Sequence, residues 1–237
     1  MKVIKRSRSL VELEIINNYD KLQWNDLILE ALKSNPYLKT LKIDNYGNKS
    51  EFSHGIIEAL KLARNLQHFQ TGNVMLNQDI LDEICKLNSL KTLDSDDIIS
   101  PQFIKNLAFS NNPIEYFYTR DISRDETAII KALHILFEKK KHTIKNICGL
   151  RFNSENVTNH GECIELPNSN NCKNLEDITG QFHHHDLALI SDLPKLKKLK
   201  LQNFVIGDDA SYLKQFNQMN FANIEYLQLE GVVTKKI

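Results

Sequence analysis

The 237-residue chain lacks a long apolar run and a signal peptide. No segment approaches the ~18 uncharged apolar residues that a membrane-spanning helix needs. The basic start, MKVIKRSRS, is followed by SLVELE, in which acidic residues interrupt the apolar stretch that a signal peptide requires. These absences predict a protein that neither spans a membrane nor binds one.

The chain also lacks net charge and paired cysteines. Its 30 basic residues balance 30 acidic residues, so no global field draws it to nucleic acid or to anionic lipid. Cys85, Cys148, Cys163 and Cys172 lie far apart and form no CxxC pair, which suits a reducing compartment. The sequence therefore predicts a cytoplasmic or nuclear protein with no nucleic-acid partner.

Catalytic and metal-binding patterns are equally scarce. The acidic run at 94–97 has no Gly-rich phosphate loop beside it, and Cys148 has no assignable base. The one group of metal-ligand types is His183, His184 and His185, with His160, Cys163 and Cys172 upstream. Three adjacent histidines cannot all face one ion from a regular element, so a solvated turn is the preferred interpretation. We expect no catalytic residue, cofactor or metal.

A block of three apolar positions, spaced three and then two apart, is what the chain does contain, and it recurs throughout. Such self-similarity is the sequence signature of a repeat architecture. The blocks are Leu10/Leu13/Ile15, Leu38/Leu41/Ile43, Leu66/Phe69/Thr71, Leu90/Leu93/Ser95, Ile114/Phe117/Thr119, Ile144/Ile147/Gly149, Leu175/Ile178/Gly180, Leu196/Leu199/Leu201 and Ile224/Leu227/Leu229. The sixth block also fits Ile147/Leu150/Phe152.

Each block is predicted to be a short strand. A spacing of two places Leu41 and Ile43 on one face of an extended chain, whereas on a helix they would point about 200° apart. Asn or Pro precedes many of the blocks, as at 35–36 and 112–113. Because these residues end helices, each strand is expected to begin just after a helix stops.

Helices are predicted between the blocks, where apolar residues recur at three and four. This pattern is seen at Leu27/Ile28/Ala31/Leu32, Ile56/Ile57/Leu60, Ile80/Leu81/Ile84 and Ile129/Ile130/Leu133/Phe137. Ser100–Pro101 matches a helix start, and Ser123 to Glu126 matches a capping box. One unit is therefore strand, turn, helix and turn.

The short basic runs, at the N-terminus and at 139–141, are interpreted as solvated ends.

This register resembles the leucine-rich repeat family. Its irregular units with a helix in each are similar to the ribonuclease-inhibitor-like group found in many F-box proteins. The resemblance covers residues 10–233. It implies an α/β solenoid shaped as a curved horseshoe, with about nine repeats, a parallel sheet on the concave face and helices on the convex face. Residues 1–237 would form this single domain, with short basic tails at both ends.

Two departures from the family pattern stand out. Counted from the first apolar residue of each block, the ninth position is usually Asn or Cys in this family, and here only Asn18 fits that pattern. Small residues also replace leucine in five consecutive blocks, at Thr71, Ser95, Thr119, Gly149 and Gly180. The middle of the array is therefore expected to pack less tightly or to bend differently.

The resemblance implies a non-catalytic protein-protein interaction scaffold, like the substrate-recognition repeats of F-box ubiquitin-ligase receptors. The F-box that precedes such repeats is not expected in the few residues ahead of Leu10, so the chain is interpreted either as a fragment or truncated relative of these receptors or as a scaffold of another kind. Alternative functions are a regulator of a small GTPase and, more remotely, a zinc-dependent enzyme resting on the cluster at His183. Because few residues flank the first and last blocks, end-to-end self-association is also an expectation.

Side chains between the apolar positions are predicted to face a protein partner. The most distinctive are Tyr116, Tyr118 and Arg120, since Tyr and Arg are enriched at interface hot spots. Asp94 and Asp96 would form the neighbouring acidic row, and Lys198 and Lys200 a basic contact further along. The alternative interpretation is that two tyrosines simply cover a solvated sheet.

Overall fold

The described part of the chain contains nine strands and five helices, which alternate from the first strand to the sixth. The computed structural model describes residues 9–17, 24–45, 53–74, 76–122, 126–150, 172–180, 190, 192–201 and 219–230. The strands are Glu12–Asn17 (β1), Thr40–Asn45 (β2), His68–Gly72 (β3), Thr92–Ile99 (β4), Tyr116–Ile122 (β5), Asn146–Leu150 (β6), Asp177–Gly180 (β7), Lys198–Leu201 (β8) and Tyr226–Leu229 (β9). The helices are Trp24–Ser34 (α1), Ser53–Leu62 (α2), Gln78–Cys85 (α3), Pro101–Phe109 (α4) and Glu126–Lys140 (α5).

All nine strands form one sheet, and each pairs in parallel with the next strand along the chain. The second apolar positions of the blocks share one row, in which Leu93, Phe117 and Ile147 are successive partners. The predicted strand at each block and the alternating α/β order are therefore confirmed. Because Ile147 pairs with Phe117, the sixth block begins at Ile144 rather than at Ile147.

The core lies between the apolar face of the sheet and the helices. Phe69 and Phe117 from the strands and Phe103 and Phe137 from the helices are completely buried in one cluster. The predicted start of α4 is confirmed, since Ser100 Oγ accepts a hydrogen bond from the Phe103 amide at 3.2 Å. The capping box predicted at Ser123 lies outside the described residues.

Hydroxyl groups occupy core positions in the middle of the sheet. Thr71, Ser95 and Thr119 are buried where the repeat pattern expects leucine. The Thr71 hydroxyl donates to Ser95 Oγ at 3.3 Å across β3 and β4, which offsets the cost of burying polar atoms. Strand pairing is irregular between Ser95 and Ile98 and again between Ile147 and Leu150.

The turns before successive strands are tied to one another. Asn65 Nδ2 donates to the Pro36 carbonyl at 2.9 Å, and Asn174 Nδ2 donates to the Lys141 carbonyl at 3.0 Å. Asparagines that were expected only to end helices therefore also link neighbouring units. These side-chain hydrogen bonds give partners to turn carbonyls that lie outside the helices and strands.

Lys140, at the end of α5, is buried, with 8% of its surface exposed. Its Nζ donates to the carbonyls of Ser110 and Asn112 at 2.6 and 2.8 Å. Burial lowers the pKa of this ammonium group. The interpretation of the whole 139–141 run as solvated is therefore wrong for Lys140, because the turn after α4 offers it two carbonyl acceptors.

A row of alternating charge crosses the sheet at the residue just before each strand. From β4 to β9 this alternating charge row reads Lys91, Glu115, Lys145, Glu176, Lys197 and Glu225. Each of these residues from Glu115 onward donates its backbone N–H to the carbonyl of the preceding member. The carboxylate of Glu115 pairs with Lys91 at 3.5 Å and with Lys145 at 2.8 Å, and Lys197 pairs with Glu225 at 3.2 Å.

The Glu115 ion pairs are expected to contribute acid-sensitive stability. The hydrogen bond from Lys145 lowers the pKa of Glu115 below its ordinary value, so its contribution is present above that value and is lost as pH falls through the lowered pKa. Glu115→Gln should lower the free energy of unfolding by about 0.5–1 kcal/mol near neutral pH and by less in acid. Urea unfolding at both pH values checks this.

The matched control is Glu138→Gln on α5, since that carboxylate is largely exposed and its lysine partner lies 3.7 Å away. It should change stability by less than about 0.5 kcal/mol. A Glu115 effect that is the same at both pH values would contradict the assignment.

No helix in the described ranges is both long and apolar enough to cross a membrane.

Candidate functional site

The sheet face opposite the helices carries the side chains that alternate with the core positions. We call this the polar face, and most of its members are partly exposed to solvent. Its described side chains are Glu12, Glu14, Ile16, Thr40, Lys42, Asp44, His68, Gln70, Thr92, Asp94, Tyr116, Tyr118, Asn146, Asp177, Thr179, Lys198, Lys200, Tyr226 and Gln228. Asn146 is the exception, because it is buried.

The structure brings three of the predicted binding residues together. Asp94 on β4 pairs in register with Tyr118 on β5, and Tyr116 lies two residues earlier on the same strand. All three side chains are partly exposed. Asp96 and Arg120 belong to the same two strands, but their side chains lie outside the described part of the structure.

The predicted basic residues lie on β8, three strands away from the tyrosines. Lys200 Nζ is paired with Glu230 at 2.8 Å, and the same carboxylate oxygen accepts from Gln228 at 2.9 Å. Lys198 is exposed and is the register partner of Asp177. The two lysines therefore differ, since one is engaged in a side-chain network and the other faces solvent.

Tyr118 is held by a buried amide that the sequence analysis gave no role. Asn146 Nδ2 donates to the Tyr118 hydroxyl at 2.9 Å across β5 and β6. Asn146 is only 1% exposed, and its Oδ1 has no hydrogen-bond partner. Its register neighbours are Tyr116 on one side and Asp177 on the other. Burial raises the pKa of Asp177, while Lys198 acts in the opposite direction.

The amino-terminal strands form a concavity of about 290 Å³ on the polar face. Its lining includes Glu12, Lys42, His68 and Asp94. Lys42 pairs with Glu12 at 2.8 Å, and His68 Nδ1 lies 2.9 Å from the Thr92 hydroxyl. Two pairs of lining side chains are thus bonded to each other.

Carboxylates outnumber ammonium groups on this part of the face. Glu12, Glu14, Asp44 and Asp94 are accompanied by Lys42 among the described side chains of β1 to β4. Gly72 allows the Asp44 carboxylate to lie directly over β3, because a Cβ at that position would overlap Asp44 Oδ1. This end of the polar face is therefore acidic.

Nucleophilic and metal chemistry find little support among the described residues. Burial raises the pKa values of Cys85 and Cys172 to about 12, so both thiols stay protonated near neutral pH. No group of three His, Cys, Asp or Glu side chains in the described ranges could hold a metal ion. The cluster at His183, His184 and His185 lies outside those ranges, as do His160 and Cys163.

The polar face can therefore offer aromatic surface, hydrogen bonds and separated charges to another molecule. No protein-family model matches the chain, and no curated protein shows a significant match to it. The geometry of the face is consequently the main guide to function.

Proposed function

We propose that the protein is a non-catalytic leucine-rich repeat scaffold that binds a protein partner on its polar face. The proposal includes a curved solenoid of about nine repeats, with this face on the concave side. Its support is the chain-ordered parallel sheet, in which each strand is aligned with the next through the same position of the recurring block. Stacked units of this kind expose one continuous sheet surface, which repeat proteins use for binding.

The observation that carries the binding proposal is the pair Tyr116 and Tyr118 at the middle of the nine-stranded sheet. Both rings are partly exposed, and the Asn146 amide holds the Tyr118 hydroxyl. Tyrosine supplies a large contact area with only two rotatable side-chain bonds, so its ordering costs little. A ring already held by a buried neighbour loses still less freedom when a partner binds.

The two ends of the polar face differ in charge. Carboxylates predominate on β1 to β4, whereas Lys198 is exposed on β8. A partner that spans the tyrosines would therefore place a basic region towards β1 and an acidic region towards β8. Such complementarity mainly raises association rate and specificity.

We further propose that the partner is a protein presented to a ubiquitin ligase, as the resemblance to F-box receptor repeats implies, in the cytoplasm or nucleus. The GTPase-regulator and zinc-enzyme alternatives stay predictions with no contact among the described residues that favours them. End-to-end self-association also stays a prediction. Leu227 and Leu229 are compatible with it, since they are 41% and 38% exposed on the edge strand β9.

The double variant Tyr116→Ala/Tyr118→Ala is expected to weaken partner binding at least tenfold, because two central aromatic anchors are removed. The partner is first captured on the immobilised wild-type protein and identified by mass spectrometry. Its affinity for wild type and variant is then measured by titration calorimetry. Circular dichroism establishes that the variant remains folded.

Tyr37→Ala is the matched control, because Tyr37 is 69% exposed in the turn after α1 and lies outside the polar face. This variant should bind as wild type does. Equal affinity of all three proteins, or equal loss in both variants, would refute the proposed use of the polar face.

A further inference from the structure

The two polar atoms of the Asn146 side-chain amide differ in their hydrogen bonding. Its Nδ2 donates to the Tyr118 hydroxyl, whereas its Oδ1 has no partner although it is screened from solvent. A buried acceptor without a donor is unfavourable, because it has given up its hydrogen bonds to water. A neighbouring side chain that can donate a hydrogen bond to Oδ1 would remove this cost.

Asp177 is the neighbour placed to supply that donor. It is the register partner of Asn146 on β7, and adjacent strands lie only about 4.8 Å apart. Its carboxyl is half-buried on the same face. A carboxylate can only accept hydrogen bonds, but a protonated carboxyl carries one O–H donor.

We propose that Tyr118, Asn146 and Asp177 form a two-state hydrogen-bond row whose direction is set by a proton on Asp177. When Asp177 is protonated, its O–H donates to Asn146 Oδ1, and Nδ2 donates to the Tyr118 oxygen as observed. When Asp177 loses the proton to solvent, the amide turns over. Nδ2 then donates to the carboxylate, and the Tyr118 O–H donates to Oδ1.

The surrounding charges allow both states. The charged groups near Asp177 include Lys198 and Lys200 on β8, Lys145 just before β6 and Glu176 just before β7, and of these Lys198 favours the ionised carboxylate. The phenols of Tyr116 and Tyr118 lie one strand further away, on β5, and the Cys148 side chain on β6 lies outside the described part of the structure. Burial raises the pKa of Asp177 and outweighs the effect of Lys198. The protonated state is thus reached more easily than for an exposed aspartate.

This hydrogen-bond row gives Asn146 a positioning role, because Asn146 orients the Tyr118 hydroxyl. The consequence of that role for partner binding rests on the proposed function and deepens it. With Asp177 protonated, the Tyr118 oxygen accepts from Asn146, so its own O–H points elsewhere. With Asp177 ionised, that O–H is used within the row. The direction of the hydrogen bond between Tyr118 and Asn146 on the polar face therefore changes with the proton on Asp177.

The test is an NMR titration of the full chain without any partner. The side-chain ¹⁵N–¹H signals of Asn146 and the ¹³Cγ signal of Asp177 should shift with pH at a common midpoint. Asp177→Asn supplies a permanent amide donor and should abolish the pH-dependent shift of Asn146. The control Glu14→Gln, an exposed carboxylate of the same face, should leave that shift unchanged.

A static Asn146 signal while Asp177 titrates would overturn the row, as would a shift that persists in Asp177→Asn. The wild-type titration decides the matter even where the variant does not fold. Because no partner is present, this result is independent of the binding comparison with Tyr116→Ala/Tyr118→Ala, and either proposal can fail alone.

Discussion

Phe117→Ala is expected to lower the free energy of unfolding by about 3–5 kcal/mol, the cost of removing a fully buried aromatic ring. Phe117 has no exposed surface and lies on the central strand β5, between Leu93 and Ile147 in the aligned row. Removal loses the transfer free energy of the ring and leaves a cavity that close-packed neighbours only partly fill. Phe117 has strands of the sheet on both sides, so its removal is expected to destabilise both halves of the sheet.

Thermal and urea unfolding followed by circular dichroism measure this effect. For a chain of this size the melting temperature should fall by about 6–20 °C. Tyr116→Ala is the matched control, because it removes an aromatic ring from the preceding residue on the opposite, polar face. That change should cost about 1 kcal/mol or less. Similar losses in the two variants would contradict the assignment of the two faces of β5.

Lys140→Met is expected to lower the free energy of unfolding by about 2–4 kcal/mol. Methionine keeps much of the aliphatic stem but removes the ammonium group that donates to the Ser110 and Asn112 carbonyls. Each backbone carbonyl left buried without a donor costs about 1–3 kcal/mol. Removing the buried ammonium group also removes its desolvation penalty. The expected loss is therefore smaller than the sum of the highest costs for the two carbonyls.

Lys131→Met provides the comparison, because Lys131 lies on the same helix with an exposed side chain. It should change stability by less than about 0.5 kcal/mol. Urea unfolding of both variants decides the question. If Lys140→Met is as stable as wild type, the ammonium group does not hold the turn after α4 in solution.

The strands were predictable because the block spacing carries two signals at once. A spacing of three alone fits a helix, but the additional spacing of two, as between Leu199 and Leu201, fits only an extended chain. The turns were predictable because Asn and Pro have strong local preferences. The central interruption between Ser95 and Ile98 was not, since strand pairing depends on the neighbouring chain and not on local preference alone.

The candidate site was predictable in part. Alternation along β5 placed Tyr116 and Tyr118 on one face, and the register placed Asp94 beside them. The roles of Asn146 and Lys140 were missed, because each depends on a partner about 30 residues away. A detectable signal did exist for the alternating charge row, since the residue two places before each second apolar position alternates between Lys and Glu from β4 to β9.

The alternating charge row also restricts how the chain can be shortened or lengthened. Deleting one strand-helix unit after β4 would bring Lys91 beside Lys145, and like charges in neighbouring strands are destabilising. Deleting two successive units would instead bring Lys91 beside Glu176 and keep the alternation. Between β4 and β9, gain or loss of units is therefore tolerated best in pairs, so the unit of exchange in this part of the sheet is two strands long.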